Sequence, residues 1–301
     1  MRIIVNKKYL TSFLVYLDKE LNYSDHTIKN YELDILKFFD YLKKSNNNIT
    51  SISKVEVRNY LKLLHEDNLS NKSISRHVSS LRSFYFFLLD IYVVKDNPFL
   101  SISNPKLSKK LPNYLNTEEI DKLFLSFNDM DFFDIRNHLL LELIYSTGLR
   151  VSEALNIKIP DIDLSSKEII VMGKGSKERV VLFGDTALSL LKKYLKKYRS
   201  NYAKSNNKYL FISKNGNQLS VSMVRKIIET QSLKAGIKRK FSVHDLRHTF
   251  ASDLINNGAS IETVQKLLGH SSLASTQIYT HITSDKIKST YLKTHPRNRK
   301  M

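Results

Sequence analysis

KEIIVMGKGSKERVVLF, residues 167–183, is the stretch on which the fold class turns. KEIIVMG and ERVVLF are short β-forming runs on either side of Lys174–Lys177, a polar tip around Gly175, and this is the pattern of a β-hairpin. Before it, FFDIRNHLLLELIYSTG (132–148) reads as a helix that stops at Gly148. After it the chain returns to helix from Thr186, and ALSLLKKYLKKYR (187–199) carries five basic residues in its last eight. This half of the chain is therefore mixed α/β, mostly helical, with a small antiparallel sheet.

Residues 1–100 are helical throughout in their patterning. Leu10, Phe13, Leu14 and Leu17 share one face, and Ile28, Tyr31, Ile35, Phe38, Phe39 and Leu42 repeat the spacing in a second helix. Ser53 with Glu56 three residues on is a capping-box pattern that opens a third helix. A fourth follows in SISRHVSSLRSFYFFLLDIY (73–92), and four short-looped helices make a compact bundle. The next stretch, DNPFLSISNPKLSKKLPNYL (96–115), holds three of the five prolines and reads as an extended linker. Asn116 and Thr117 with Glu118 and Glu119 then cap a new helix. The expected organisation is a mainly α protein: an N-terminal helical domain over 1–95, a linker over 96–112 and a second domain over 113–301.

Composition narrows the partners. The 301 residues carry a net charge of +19, and the basic residues are spread along the chain rather than gathered in a tail, which suits a folded protein wrapping a duplex. A chain rich in lysine on every solvated face is the competing account. With no cysteine, disulfides, thiolate metal sites and cysteine nucleophiles are all excluded. No apolar run approaches the roughly 18 residues of a membrane span, and the start MRIIVNKKYL is not a signal peptide, so a cytoplasmic location is expected.

The chemistry sits in an ordered set of polar residues. STGLRVSEAL (146–155) puts Arg150 directly after a glycine turn, and the hairpin tip carries Lys174. SVHDLRHTFASDL (242–254) reads as a helix with His244 and Arg247 three apart on one face. ASIETVQKLLGH (259–270) ends at Gly269 and delivers His270, and Tyr279 follows nine residues later. Each alone is an ordinary surface or core residue; the set suits phosphodiester exchange. Two guanidiniums clamp the non-bridging oxygens of a pentavalent phosphorane. A tyrosine, with an ordinary pKa of about 10, attacks once its proton is drawn off. Histidines share that proton or add hydrogen bonds, and a mobile lysine protonates the departing 5′-oxygen. Glu153 lies three residues after Arg150 on the same helical face, where it either orients the guanidinium or forms an ordinary surface pair with it. Lys177 and Arg179, beside the hairpin, are expected to meet DNA phosphate. His248 is expected to point away from the His244 face, as a structural residue or hydrogen-bond brace.

TGLRVSEAL, HDLRHTFA, LLGH and the segment around Tyr279 resemble the signature boxes of the tyrosine recombinase (phage integrase) family. The resemblance extends over essentially the whole chain, and its first part is similar to the family's SAM-like core-binding domain. It implies that Arg150, Lys174, His244, Arg247, His270 and Tyr279 form the catalytic set, with Tyr279 the nucleophile. It implies no metal and no cofactor, because a 3′-phosphotyrosine conserves the energy of the broken bond. The partners it implies are a double-stranded DNA site and a homo-tetramer, or a hetero-tetramer with a second recombinase. Strands are exchanged through a Holliday junction, and the helix after Tyr279, with Ile282, Ile287, Tyr291 and Leu292, docks into a neighbouring protomer. The length and the ending TSDKIKSTYLKTHPR (283–297) resemble the Xer subgroup, which resolves chromosome or plasmid dimers and works with a septal DNA translocase. The alternative is the recombinase of a mobile element, an integrase or a transposon or integron enzyme, using the same chemistry.

Three rival readings bear on the same residues. His244 and His248 have the spacing of paired zinc ligands, with Asp245 where such motifs carry Glu, but Arg247 would stand beside the metal. A DNA-binding relative without chemistry would have lost some of the six residue types. An enzyme that only relaxes supercoils would not join two DNA molecules.

Overall fold

A computed structural model describes residues 2–105, 114–173, 178–269 and 289–298. The chain divides into two compact units, Met1–Lys110 and Leu111–Met301.

Unit one is a bundle of α1 (Arg2–Lys19), α2 (Asp25–Lys44), α3 (Lys54–Glu66) and α4 (Asn71–Asp90). Each of the last three begins at a serine whose hydroxyl accepts a backbone N–H of the first turn: Ser24, Ser53 and Ser70. The Ser53–Glu56 capping box closes as expected, with Glu56 accepting the Ser53 N–H at 2.6 Å. The predicted apolar faces form the core, where Phe13, Ile35, Phe38, Tyr60, Leu81 and Phe84 are wholly buried. The expected linker begins too early. Phe99 is wholly buried in this core, Arg82 donates to the carbonyls of Phe99 and Ile102, and Asn97 donates to that of Arg82. Residues 96–102 thus belong to the first unit: the apolar side chain of Phe99 outweighs the loop-like composition around it.

Unit two is built on α6 (Phe132–Thr147), whose Leu139, Leu140, Leu141, Leu143 and Ile144 are all wholly buried. Each such side chain contributes roughly 1.5–3 kcal/mol of burial, which makes this helix the spine of the domain. Around it lie α5 (Thr117–Leu125), α7 (Val151–Asn156), α8 (Asp185–Lys193), α9 (Val221–Lys234), α10 (Val243–Asn256) and α11 (Ile261–Leu268). The hairpin strands are β2 (Glu168–Met172) and β3 (Glu178–Leu182), antiparallel in the register Ile170 to Val180. A two-residue strand absent from the sequence reading, β1 (Ile162–Asp163), pairs with β2 and completes a sheet in the order β1-β2-β3. Ile169, Val171 and Val181 turn one sheet face into the core.

The tail departs from expectation at Tyr291. Its ring is buried against Phe250 and Leu254, and its hydroxyl donates to the Ser146 carbonyl at 2.9 Å. Tyr291 thus packs on its own domain instead of presenting itself to a neighbour, whereas Leu292 is exposed. Ile282 and Ile287 lie outside the described residues.

Candidate active site

Gly148 closes α6 in the left-handed region, with φ 64° and ψ 27°. A Cβ there would stand 2.6 Å from Phe250 of α10 and 2.8 Å from Leu268 of α11, so glycine is demanded by backbone and packing together. That close approach brings the start of α7 against α10 and the end of α11.

Arg150 occupies the N-cap position of α7, and Glu153 reaches back to accept its backbone N–H at 2.8 Å. The same carboxylate accepts from the Arg150 side chain at 2.9 Å. Arg179 of β3 donates to both of its oxygens at 2.8 Å, a parallel two-bond fork. Arg247 of α10 stands 3.8 Å from Oε2 of the same carboxylate. Its own guanidinium donates to the Gly148 carbonyl, and to that of Leu268 at 2.7 Å. Three arginines from three elements therefore converge on one carboxylate. Side-chain exposure grades them: 40% for Arg150, 15% for Arg179, 8% for Arg247 and 4% for Glu153.

The electrostatics follow from this packing. Burial pushes the Glu153 pKa up, but hydrogen bonds from Arg179 and Arg150 and the Arg179 charge outweigh it and bring it down to about 2. Burial first, then the neighbouring Arg150 charge, brings Arg247 down to about 10, so it remains a cation at neutral pH. One carboxylate among three guanidiniums leaves a net positive site, suited to a dianionic phosphorane.

α10 opens with Ser242, whose N–H and hydroxyl both donate to Asp245, at 2.7 and 2.8 Å. Asp245 is thus a capping residue, not the acid of a metal motif. His244 is exposed, and its ring stacks on that of His248 with centroids 4.5 Å apart and 20° between planes. His248 consequently shares the His244 face, because four residues make about one helical turn, and the expectation that it points away is corrected. Among the described residues no group of three His, Cys, Asp or Glu converges as a metal site.

The structure thus brings together Arg150, Glu153 and Arg247. Lys174, Lys177, His270 and Tyr279 lie outside the described residues. Arg179 is corrected: both of its terminal nitrogens bond Glu153 and its side chain is 15% exposed, so it is not an outward phosphate contact. Its inward direction follows the two-residue alternation of the strand, a signal present in the sequence. Arg199, one of the basic residues after 186, is also turned inward, donating to the carbonyls of Asn207 at 2.7 Å and Tyr209 at 2.6 Å. Sequence reading also missed a buried ion pair in the same unit. Glu142 is wholly buried, 3.4 Å from Arg297, and burial pushes its pKa up to about 7.

Residues 113–286 match the phage integrase family, and residues 10–90 match the phage integrase N-terminal SAM-like domain. The chain belongs to the phage integrase family. A relative named tyrosine recombinase XerC, from Halalkalibacterium halodurans, is 40% identical over 300 residues, covering 98% of this chain and 99% of the relative. Another protein of that name, from Listeria monocytogenes, is 43% identical over 290 residues, covering 95% and 96%. Among solved structures, XerH recombinase bound to a palindromic difH substrate after cleavage superposes with a TM-score of 0.69 at 30% identity, over 88% of this chain and 79% of that one. This phage integrase family member is a tyrosine site-specific recombinase, an enzyme that cleaves and rejoins DNA. Among its described residues no helix is long and apolar enough to cross a membrane.

Proposed function

We propose that Tyr279 attacks a DNA phosphodiester held by Arg150 and Arg247. The Tyr279 oxygen bonds to phosphorus, the bond from phosphorus to the 5′-oxygen breaks, and the DNA 3′-phosphate stays on the enzyme as a phosphotyrosine. Lys174 gives the departing 5′-oxygen its proton, while His244 and His270 accept the tyrosine proton or hydrogen-bond the phosphorane. The freed 5′-hydroxyl then attacks the phosphotyrosine of a partner strand, restoring the tyrosine and building a Holliday junction. Bond energy is conserved at each step, so neither ATP nor metal enters.

The observation that carries this reading is the meeting of the Arg150 and Arg247 guanidiniums at the two oxygens of Glu153. The two arginines come from helices 97 positions apart in sequence, and the more exposed of them faces solvent with 40% of its side chain accessible. For Arg247, a phosphate oxygen is a charged acceptor and stronger than the carbonyls it now bonds.

The working assembly in this reading is a tetramer on two DNA sites, alone or with a second recombinase, in the cytoplasm. The two XerC relatives, matched nearly end to end, support a role in resolving chromosome or plasmid dimers; a septal DNA translocase as activator completes the proposal. The test is adduct formation on a nicked suicide duplex in EDTA. A denaturation-resistant band with a 3′ linkage is expected from the wild type and none from Tyr279→Phe, although both bind DNA. A band of equal yield from Tyr279→Phe removes Tyr279 as nucleophile, and a band that needs added metal removes the metal-free mechanism.

A further inference from the structure

We propose that Arg179 is a positioning residue for DNA cleavage, by which β3 holds Glu153, and through it the guanidinium of Arg150. This rests on the reading of Arg150 and Arg247 as the phosphate clamps. Glu153 accepts four hydrogen bonds, two from Arg150 and two from Arg179, which fills the roughly four acceptor positions of a carboxylate. The two from Arg179 come from the more buried partner, 15% exposed against 40% for Arg150. Arg179 therefore sets where the carboxylate sits, and Arg150 is drawn to it.

A second contact fixes Arg179 itself. Its side chain runs beneath Gly269, so that a Cβ at that glycine would stand 2.9 Å from Cδ and 3.1 Å from Nε. Gly269 holds φ 65° and ψ 41° as the last described residue before His270. One arginine thus joins the hairpin strand, the carboxylate under Arg150 and the turn ahead of His270. Without it, two of the four Glu153 bonds are lost, and the carboxylate is free to swing toward Arg247, now 3.8 Å away. That swing would take both clamps from the phosphate.

The test is single-turnover adduct formation on the suicide duplex at saturating DNA, with Kd and its salt dependence measured separately. For Arg179→Ala the cleavage rate is expected to fall by about 100-fold, the scale of an ångström-level misplacement, with Kd little changed. Arg179→Lys keeps charge and bulk, so the fold is retained, as its thermal unfolding midpoint checks. It too should be slow, because an ammonium cannot form two parallel bonds. Arg179→Ala combined with Glu153→Gln should be no slower than the slower single variant, since both act through one carboxylate. Any of three results overturns the proposal: wild-type cleavage rates in both Arg179 variants, losses that multiply in the double variant, or a loss confined to Kd with the salt slope lowered by about one, the mark of a plain phosphate contact. Arg150→Ala and Arg247→Ala serve as controls. If they too cleave normally, the clamp reading itself fails; if only they are inactive, the role of Arg179 alone is lost.

Discussion

Each unit of this recombinase buries a carboxylate against an arginine, and the two behave oppositely. In the first, Asp34 of α2 is 1% exposed, with Arg76 at 2.7 Å, His77 at 3.1 Å and the Ser80 hydroxyl donating at 3.1 Å. In the second, Glu153 is met by the fork of Arg179, by two bonds from Arg150 and by Arg247. Burial pushes Asp34 up to about 6, whereas Glu153 is held down at about 2. Both are desolvated, so desolvation does not separate them. The difference lies in the partners: Asp34 has Arg76, 37% exposed, and one hydroxyl, whereas Glu153 has the two-bond fork and charge of Arg179, 15% exposed, together with two bonds from Arg150. A carboxylate stays charged inside a protein when enough donors fill its acceptor positions to offset its burial. The first arrangement ties α2 to α4, and the second keeps a charge at full strength where the proposed mechanism binds a phosphate.

The largest effect is expected from neutralising the second carboxylate. Glu153→Gln leaves three guanidiniums without a counter-charge, and the cleavage rate on bound DNA should fall by about 100-fold. The same change costs stability on the order of 3–5 kcal/mol, as for one partner removed from a buried ion pair. The pH dependence should show it as well. A carboxylate whose folded pKa is depressed contributes stability that is present above about 4.5 and lost as pH falls toward 2. Acid unfolding of unit two should therefore flatten in Glu153→Gln over that window, and an unchanged acid limb would break the comparison.

An intermediate effect is expected at Asp34, with its own sign. A folded pKa of about 6 against an ordinary 3.8 means the folded state takes up its proton first, so this group adds stability as pH falls through 6. His77 opposes it. Burial lowers its pKa to about 4, so the unfolded chain takes the proton as pH falls below 6.5 and stability is lost. The two nearly cancel in the wild type, and unit one should be almost flat between pH 4 and 6. Asp34→Asn exposes the His77 contribution, so thermal stability should drop on acidification from 6.5 to 4 while the cleavage rate on bound DNA is unchanged. A variant as flat as the wild type would show that the pair does not titrate as described. The smallest change is expected for Ser80→Ala. It removes a neutral donor from Asp34 and should cost about 1 kcal/mol in denaturant unfolding, well below the loss of a guanidinium from Glu153.

Much of this was legible beforehand because it is local. Apolar faces at helical spacing marked α1 to α4, and the hairpin showed as two β-forming runs around a glycine-containing tip. The Ser53–Glu56 and Asn116–Glu119 boxes are both closed in the structure. Glu153 beside Arg150 was legible for the same reason, as a pair three residues apart on one helix. What failed was non-local or fell between short-range rules. Phe99 sits in proline-rich sequence yet fills the first core, and the two-residue β1 exists by pairing with β2. Arg199 looks like any other cation of a +19 chain, and although strand alternation turns Arg179 inward, the carboxylate that takes it, like the carbonyls that take Arg199, is supplied by the fold.

By itself, then, the sequence determined the class of chemistry, through the residue types and their order. It also determined the helical frame, because periodicity and capping act over a few residues. Only the tertiary structure decided which cations keep an exposed side chain and which are buried on a partner within the site. That choice depends on a glycine at 148 letting α10 and α11 close on the start of α7, and on Glu153 gathering guanidiniums from α7, β3 and α10. Charge in a sequence has a sign and a position; its depth and its partners come from the packing, and these fix what it does.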